Sequence, residues 1–406
     1  MKIKILIAYL IFFTFLSSLA STVIVGQEIL LEGEALKKLT GRKIGLITNH
    51  TAVDSHMNST LKKLSDKVEI TAIFAPEHGL NGSSWAGEWI SDGFFLNGVP
   101  VYSLHGKTRR PTAEMLKGLD LLIYDIQDIG SRSYTFSTTL FYVMEEAAKQ
   151  RIEVMVLDRP NPINGLMVDG PMLEDKWRSF VGYVNVPYCH GMTIGELALF
   201  FNKEYRIGCR LTVVPMKGWK REMSFQQTGL PWVPTSPNVP EAASTNFYPA
   251  TGILGELELV SIGIGYTLPF KIVGAPWIDA EVFAKKLNEQ KLAGVLFYPF
   301  HFTPFYGTLG KKECHGVLIH VTDPIAFLPV TSQYVLIGLL KSLYPKEFHR
   351  QMLLSDGRKE MFHKVNGTDK VWQVLKDEQY VVWKLKGLHE RERKEFLKKR
   401  AKYLLY

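Results

Sequence analysis

The first half of the chain alternates between short hydrophobic runs and amphipathic segments. The runs between Gly41 and about Pro215 are KIGLIT, EITAIFA, LDLLIYD, IEVMVLD and LTVVPM, and they are typical of buried strands. Between them lie helical candidates, which include TLKKLSDK, TAEMLKGL and STTLFYVMEEAAKQ. Strands that alternate with helices predict a parallel sheet with helices on its faces, that is, a Rossmann-like α/β domain.

The pattern changes after Gly218. Residues 218–252 are rich in Pro, Ser, Thr and aromatic residues and have neither the period of a strand nor that of a helix. This segment is too long for an ordinary connection, so we interpret it as a functional loop or a domain linker. Beyond it, AGVLFYPFHFTPFYG and CHGVLIHVTD predict strands, and PVTSQYVLIGLLKSLY predicts a helix. We therefore expect an α/β domain over residues 22–252, which includes the long loop, and a smaller C-terminal α+β domain over residues 253–406.

The first 21 residues have the layout of a secretory signal peptide. Lys2 and Lys4 precede an apolar stretch from Ile5 to Leu16, and small residues follow, ending near Ala20. The apolar stretch is short for the ~20 residues that a transmembrane helix needs. We therefore expect residues 1–21 to be removed and the mature protein to be periplasmic or secreted, with no stable membrane span.

The composition is that of a globular protein, and missing motifs argue against several classes of site. The chain has 406 residues, of which 46% are hydrophobic and 22% charged, and a net charge of +8. Its cysteines, Cys189, Cys209 and Cys314, are too few for a disulfide framework and are expected to be buried. The chain lacks a phosphate-binding loop, a G-x-G-x-x-G after the first strand, a G-x-S-x-G and an H-E-x-x-H. We therefore expect no cofactor and no nucleic-acid partner.

Polar and ionisable residues follow four of the predicted strands. In open parallel sheets, reactive groups gather just past the carboxyl ends of the strands. Turn formation explains a single polar loop, but several in a row favour an active-site edge. The residues are Asn49 and His50 after the first strand, Glu77 and His78 after the second, Asp125, Gln127, Asp128, Arg132 and Tyr134 after the third, and Asp158, Arg159, Asn161 and Asn164 after the fourth.

Glu77 is the strongest candidate for a catalytic group. It follows Pro76 and comes two residues before Gly79, so we expect a tight loop that holds its carboxyl group at the mouth of an apolar strand. Partial desolvation there is expected to raise the pKa of Glu77 towards the range of a general acid. His78 either orients Glu77, binds a substrate or a metal, or is a hydrogen-bonded structural residue.

Carboxylates, amides and aromatic rings together favour a carbohydrate substrate. Aromatic faces stack on sugars, while Asn, Asp and Arg bind hydroxyl groups. Cleavage of a glycosidic bond requires an acid and, in addition, a second carboxylate or the acetamido group of the substrate. The aromatic residues of the long loop are Trp219, Trp232, Phe247 and Tyr248. The candidates for the second carboxylate are Asp125, Asp128 and Asp158. These residues predict an exported hydrolase that acts on sugars.

Several motifs resemble those of a bacterial exo-β-N-acetylmuramidase family. They are GLITNHTAVD, FAPEHGLNG, PVYSLHGKTRRPTAEMLKGLDLLIYDIQDIGSRSYTF, LDRPNPING, VDGPML, HGMTIGELA, PNVP, YPATG, LPFKIVGAPWID and KYLLY, in order over essentially the whole mature chain. The resemblance implies a Rossmann-like catalytic domain and a smaller C-terminal domain. It also implies release of the non-reducing terminal N-acetylmuramic acid from peptidoglycan fragments without a metal or nucleotide. The glutamate of the family's Pro-Glu-His-Gly motif, its proposed catalytic residue, is Glu77 in this chain.

The resemblance carries one expectation about recognition and one departure. N-acetylmuramic acid has a lactyl carboxylate, and we expect Arg132 or Arg159 to pair with it. Members of the family often have a polar stretch similar to EGTNxSEGRGT, where this chain has ELELVSIGIGYT. Leu259, Ile262 and Ile264 thus stand where Asn, Glu and Arg are expected, which predicts an altered recognition wall.

Two alternatives remain open beside the muramidase. A metal-dependent hydrolase would use His50, Asp54, His78 and Asp125. A non-catalytic protein that binds peptidoglycan or amino sugars would keep the fold, and the altered wall favours it. For the muramidase, the expected catalytic residues are Glu77, His78 and Asp125. The expected substrate-binding residues are Asn49, His50, Asp128, Arg132, Tyr134, Asp158, Arg159, Asn161 and Asn164.

Overall fold

The larger of two sheets is formed by the first half of the chain. The computed structural model describes residues 23–95 and 98–406, so the predicted signal peptide lies outside the described residues. The strands of this sheet are β1 (Ile44–Thr48), β2 (Ile70–Ala75), β3 (Gly93–Phe94), β4 (Pro100–Ser103), β5 (Leu121–Asp125), β6 (Glu153–Leu157) and β7 (Arg210–Val214). They are arranged in the order β3-β4-β2-β1-β5-β6-β7, and every neighbouring pair is parallel except β3 and β4.

Helices cover both faces of this sheet. They are α1 (Gly26–Glu32), α2 (Thr60–Ser65), α3 (Ala113–Leu116), α4 (Thr135–Gln150) and α5 (Ile194–Glu204). Successive side chains of a strand point to opposite faces, so that Leu122 and Tyr124 pack with the α4 side, whereas Leu121 and Ile123 pack with α1 and α2. This arrangement confirms the predicted Rossmann-like α/β domain.

The second half of the chain builds a smaller sheet with helices. Its strands are β8 (Ile272–Ala275), β9 (Val295–Phe302) and β10 (Cys314–Val321), which are antiparallel in the order β8-β10-β9. Its helices are α6 (Ser244–Gly255), α7 (Ala280–Asn288), α8 (Pro329–Leu343), α9 (Pro345–Leu354), α10 (Lys359–Asn366), α11 (Lys370–Asp377), α12 (Val381–Gly387) and α13 (Glu390–Arg400). The predicted C-terminal α+β architecture is therefore confirmed.

Two elements that border the site, α6 and β4, differ from the sequence-based expectations. The last part of the predicted loop 218–252 is helical, because α6 begins at Ser244, although this helix contains Pro249. Gln333 of α8 stabilises α6 by accepting a hydrogen bond from the amide of Leu254 and donating one to the carbonyl of Pro249. Tertiary packing thus overrides a turn-rich composition. The short strand β4 was also not predicted, because PVYS begins with proline and has few residues.

The sheet places its strand ends in a defined order around the site. The chain order reverses between β1 and β5, where open α/β sheets usually bind ligands. The ends of β2 and β4 lie next to this point on one side and the end of β6 on the other. All three cysteines are buried and free, as expected. Within residues 23–95 and 98–406, no helix is both long and apolar enough to cross a membrane.

Candidate active site

A cleft of about 610 Å³ lies between the two halves of the chain. One wall is formed by the segments that follow β2 and β4, by the start of α4 and by part of the segment between β6 and α5. The other is formed by α6 and by the segments after α6 and β9. Residues of the first wall include Glu77, His78, Gly87, His105, Arg109, Tyr134, Thr135 and Phe180. Residues of the second wall include Tyr248, Glu256, Glu258, Ile262, Ile264, Tyr306 and Arg358.

Glu77 is held in this cleft by two hydrogen bonds. The hydroxyl group of Thr135 donates to its Oε2 at 2.6 Å, and the amide of Gly87 donates to its Oε1 at 2.8 Å. Thr135 is the first residue of α4, so the carboxyl group lies beside the positive end of a helix. The predicted tight loop is present, because His78 and Gly79 both have positive φ and the Gly79 amide donates to the Pro76 carbonyl.

These contacts correct the expected pKa of Glu77. Burial is the largest single effect and raises the pKa, as the sequence suggested. The hydrogen bond from Thr135, the nearby His105, the amide of Gly87 and the nearby His78 together outweigh burial, so that the pKa lies below its ordinary value. Glu77 is therefore ionised at neutral pH.

His105 is the closest basic partner of Glu77. Its Nδ1 lies 2.9 Å from the carbonyl oxygen of Glu88, which only accepts, so Nδ1 carries a proton. Its Nε2 then faces Oε1 of Glu77 at 3.6 Å. This distance is too long for a hydrogen bond, so His105 influences the carboxyl group of Glu77 electrostatically.

His78 lines the cleft next to Glu77. Its Nδ1 donates to the carbonyl of Ser84 at 2.8 Å, and its ring edge packs on Phe136 with centroids 6.3 Å apart. The ring is thereby fixed in orientation, and Nε2 is left for other contacts. Tyr134 also lines the cleft, with its hydroxyl group donating to Thr235 at 3.0 Å.

The opposite wall contributes a second carboxyl group. Tyr248, Gly252 and Glu256 lie four residues apart and all line the cleft, as residues on one face of a helix do. Burial raises the pKa of Glu256, with Glu258 adding to the rise and Arg358 opposing it. Glu258 itself forms an ion pair with Arg358. Glu256 thus faces the same cavity as Glu77.

Asp125 does not lie in this cleft. Its carboxylate accepts two hydrogen bonds from Arg159, at 2.5 and 2.9 Å, and one from Thr60 at 2.5 Å. Arg159 also donates to the carbonyl of Val53. All of these polar groups are buried. The expectations that Asp125 is catalytic and that Arg159 pairs with the substrate are therefore corrected, because each is already the other's partner.

Asp158 and Asp128 are likewise buried outside the cleft. Asp158 accepts hydrogen bonds from Thr193, the Gly195 amide and Tyr406, yet burial raises its pKa to about 6. Asp128 accepts from the Gly130 amide at 2.8 Å, and burial raises its pKa to about 7. Neither carboxyl group lines the cavity, so the expected second carboxylate is not one of them.

Arg132 serves as a structural clamp. Its guanidinium group donates to four main-chain carbonyls, those of Pro171, Val186, Val365 and Asn366, at 2.5 to 3.2 Å. Val365 and Asn366 belong to the C-terminal half, so the side chain joins the two halves of the chain. The expectation that Arg132 pairs with a substrate carboxylate is corrected, because these carbonyls occupy its terminal N–H groups.

The remaining strand-end residues stabilise loops and do not line the cleft. Asn49 accepts hydrogen bonds from the amide and hydroxyl group of Thr51. His50 contacts the carbonyl of Pro234 through Nε2 at 2.6 Å. Three further side chains form hydrogen bonds with main-chain groups of turns and neighbouring loops. They are Gln127, Asn161 and Asn164. Of the nine expected substrate-binding residues, the structure brings Tyr134 alone to the described cleft.

The alternative metal site is not assembled. Asp54 pairs with Lys63 and accepts from Asn58, while Asp125 pairs with Arg159. Across residues 23–95 and 98–406, no three His, Cys, Asp or Glu side chains are grouped so as to hold a metal ion.

The altered wall lies partly in the cleft. Ile262 and Ile264 line it, whereas Leu259 is buried in the core and does not. Two of the three expected polar positions therefore present apolar surface to the cavity.

Sequence reasoning missed several polar residues of the cleft, among them His105, Arg109, Thr135 and Glu256. His105 and Arg109 follow β4 in LHGKTRRP, so the strand-end rule would have found them had this strand been recognised. Tyr248, one of the aromatic residues expected to stack on a sugar, does line the cleft, but its position on a helix was not predicted.

Comparison with known proteins assigns the family. Models of the N-terminal and C-terminal domains of the exo-beta-N-acetylmuramidase NamZ match residues 44–243 and 246–406. The peptidoglycan beta-N-acetylmuramidase NamZ of Bacillus subtilis (strain 168) is 44% identical over 376 residues, which cover 91% of this chain and 88% of that protein.

Solved structures agree with this assignment. A crystal structure of a DUF1343 family protein from Bacteroides fragilis NCTC 9343 is 41% identical, with a TM-score of 0.86. A second DUF1343 protein from the same organism is 30% identical, with a TM-score of 0.73. Each match covers 95% of this chain and 99% of the other. The chain therefore belongs to the NamZ family of exo-beta-N-acetylmuramidases, which are glycosidases.

Proposed function

We propose that this protein is an exo-acting glycosidase that releases the non-reducing terminal N-acetylmuramic acid from peptidoglycan fragments, with Glu77 as the general acid. The observation that carries the proposal is the position of Glu77, whose carboxyl group is held by Thr135 and Gly87 in a cleft large enough for a sugar. The name of the Bacillus subtilis relative supports the same substrate class.

Substrate binding supports the acid role of Glu77, although the pKa of this group lies below its ordinary value. A sugar bound over Glu77 displaces water, which strengthens the effect of burial and favours the neutral carboxylic acid. Glu77 then donates its proton to the glycosidic oxygen as the bond breaks. A general acid in this position protonates the leaving group, as glycosidases require.

Glu256 is the proposed second carboxyl group. Glycoside hydrolysis uses a second carboxylate as a nucleophile or base, unless the acetamido group of the substrate takes that part. Glu256 faces the cavity from the wall opposite Glu77, whereas Glu258 at the same wall is neutralised by Arg358. Glu256 therefore replaces the buried aspartates in this role, for which it acts as the carboxylate, the form that the nearby Arg358 favours against the effect of burial.

The shape of the cleft supports action at a chain end. Trp85 and Tyr306 meet edge to face across the two walls, with ring centroids 6.1 Å apart. Because Tyr306 lines the cleft, this contact joins the two walls at one place, which we take to favour the end of a glycan over its middle. Tyr134 and Tyr248 supply aromatic surface for the sugar ring.

We also propose that the protein acts outside the cytoplasm, in the periplasm or after secretion. The proposal rests on the signal-like residues 1–21 and on the location of peptidoglycan beyond the cytoplasmic membrane.

A non-catalytic binding protein is the second candidate, because Ile262 and Ile264 present apolar side chains to the cleft where polar ones are expected. Hydrolysis of an aryl β-N-acetylmuramide, beside the matching β-N-acetylglucosaminide, separates the two. We expect the mature protein to hydrolyse the muramide and to leave the glucosaminide essentially intact. Binding of the muramide by a folded protein without hydrolysis would support the second candidate instead.

A further inference from the structure

One arginine that lines the cleft has no ionic partner among the described residues. The carboxyl groups of the cleft are those of Glu77, Glu256 and Glu258, and its arginines are Arg109 and Arg358. Arg358 is paired with Glu258. Arg109, by contrast, forms no ion pair and no side-chain hydrogen bond with any residue of ranges 23–95 and 98–406.

Arg109 is nevertheless held in a defined orientation. Its guanidinium carbon lies 4.3 Å from the ring centroid of Phe180, which is buried. The ring of Phe180 packs on His105 with centroids 5.6 Å apart, and His105 lies 3.6 Å from Glu77. Arg109 is thus connected to the catalytic carboxyl group through two rings on the same wall. Stacking uses the face of the guanidinium group and leaves its N–H edge free to donate.

The neighbouring Arg110 lies in the same loop, but its guanidinium group is bound within the protein. It donates to Glu145 at 2.6 Å and to Glu146 at 3.2 Å, and it lies 3.7 Å over the ring of Tyr142. Arg110 is therefore fully engaged within the protein. The contrast between two adjacent arginines indicates that the free edge of Arg109 is available to a ligand.

The ligand that fits this edge is a carboxylate. A guanidinium group binds a carboxylate through two parallel hydrogen bonds, and the lactyl group is the feature that distinguishes N-acetylmuramic acid from N-acetylglucosamine. We propose that Arg109 binds the lactyl carboxylate of the terminal sugar and so determines the specificity of the cleft. This assignment rests on the proposed muramidase function and takes over the part first expected of Arg132 or Arg159.

The test compares hydrolysis of an aryl β-N-acetylmuramide with that of the same compound whose lactyl carboxylate is converted to the carboxamide. For Arg109→Ala, we expect kcat/KM for the free acid to fall about 10- to 100-fold, while the value for the carboxamide stays the same. Arg109→Lys should recover part of the loss, because it restores the charge without the planar fork. Lys107→Ala is the matched control, since Lys107 is an exposed cation of the same loop that does not line the cleft.

The outcomes separate the inference from the function beneath it. An Arg109→Ala variant that retains the wild-type ratio of free acid to carboxamide hydrolysis would overturn the assignment while leaving the muramidase in place. An equal loss for Lys107→Ala would attribute the effect to general charge rather than to Arg109. Failure of the wild type to hydrolyse either compound would reject the proposed function, and the assignment with it. Thermal unfolding of each variant verifies folding, which we expect to be unchanged because Arg109 makes no polar contact in the described structure.

Discussion

At one edge of the larger sheet, the polar residues lie in two different environments, buried and paired in one half and facing a cavity in the other. At the ends of β1, β5 and β6, Asp125 is paired with Arg159, Asp158 is surrounded by donors, and a space of only about 10 Å³ remains beneath Phe225 and Trp232. At the ends of β2 and β4, Glu77, His105 and Arg109 face a cavity of about 610 Å³. The first half is sealed, and the second is open.

The difference shows that a polar residue at a strand end is not reactive because of its position alone. The reversal point between β1 and β5 is the usual ligand site of open α/β sheets, but here an ion pair fills it. A buried carboxylate that accepts three hydrogen bonds has little capacity left for a substrate. The open half is distinguished by two groups without a hydrogen-bond partner in the described structure, the Nε2 of His105 and the edge of Arg109, and the carboxyl group of Glu256 faces this half from the opposite wall.

The largest expected effect comes from Glu77→Gln, which removes the proposed general acid. For Glu77→Gln, we expect kcat/KM on a natural glycan to fall by roughly 10³-fold, since general acid catalysis contributes about 10²- to 10⁴-fold. A dinitrophenyl muramide needs little protonation of its leaving group, so its hydrolysis by Glu77→Gln should stay within about tenfold of the wild type. Glu256→Gln should fail on both substrates. Steady-state kinetics on the two substrates measures this.

Glu258→Gln is the control for this experiment, because Glu258 lines the cleft but is paired with Arg358. It should lose less than about tenfold on either substrate. The reverse pattern, with Glu256→Gln active on the dinitrophenyl muramide and Glu77→Gln inactive, would exchange the roles of the two glutamates.

A disruption of the sealed half should instead affect stability. Arg159→Ala leaves the buried Asp125 without its charge partner, and we expect the free energy of unfolding to fall by about 3–5 kcal/mol. Loss of both partners in Asp125→Ala/Arg159→Ala should cost less than the sum of the two single variants. Denaturant unfolding measures these values.

Lys286→Ala is the matched control, because it removes an exposed ion pair. Lys286 lies on α7, and its partner Glu289 follows the end of this helix. The effect of this substitution on the free energy of unfolding should be much smaller than that of Arg159→Ala, because solvent screens an exposed ion pair. If Arg159→Ala unfolds like the wild type but loses hydrolysis of the muramide, the sealed half would have to be counted as part of the active site.

The smallest expected effect concerns the pKa of Glu77. His105 lowers this pKa, so His105→Gln should raise it and keep Glu77 protonated up to a higher pH. If Glu77 is the general acid, the descending limb of kcat/KM against pH should therefore move to higher pH in the variant. The pH profiles of both proteins test this, and a limb that stays in place or moves to lower pH would contradict the effect of His105 on Glu77.

Much of the fold could be predicted because hydrophobic periodicity is a local signal. The runs that became β1, β2, β5, β6 and β7 were all recognised in the sequence. The helix α6 was hidden by Pro249 and by turn-forming residues, and its stability depends on contacts with Gln333, which is 79 residues from Leu254. A local pattern does not contain that information.

The site was predictable only in part for the same reason. The strand-end rule found Glu77, His78 and Tyr134, which do line the cleft. It also selected Asp125 and Arg159, whose partnership joins residues 34 positions apart, and Arg132, whose partners at residues 365 and 366 lie in the other half of the chain. The loop around Trp232 and the packing of α6 determine which strand ends remain open. Both depend on contacts between residues that are far apart in the sequence.

The most direct test of the central claim is to identify the product released from a glycan that begins with N-acetylmuramic acid at its non-reducing end. Mass spectrometry after incubation with the mature protein should detect free N-acetylmuramic acid and a glycan shortened by one sugar, and neither should form with Glu77→Gln. Release of larger fragments, or equal release by Glu77→Gln, would contradict an exo-acting muramidase that depends on this carboxyl group.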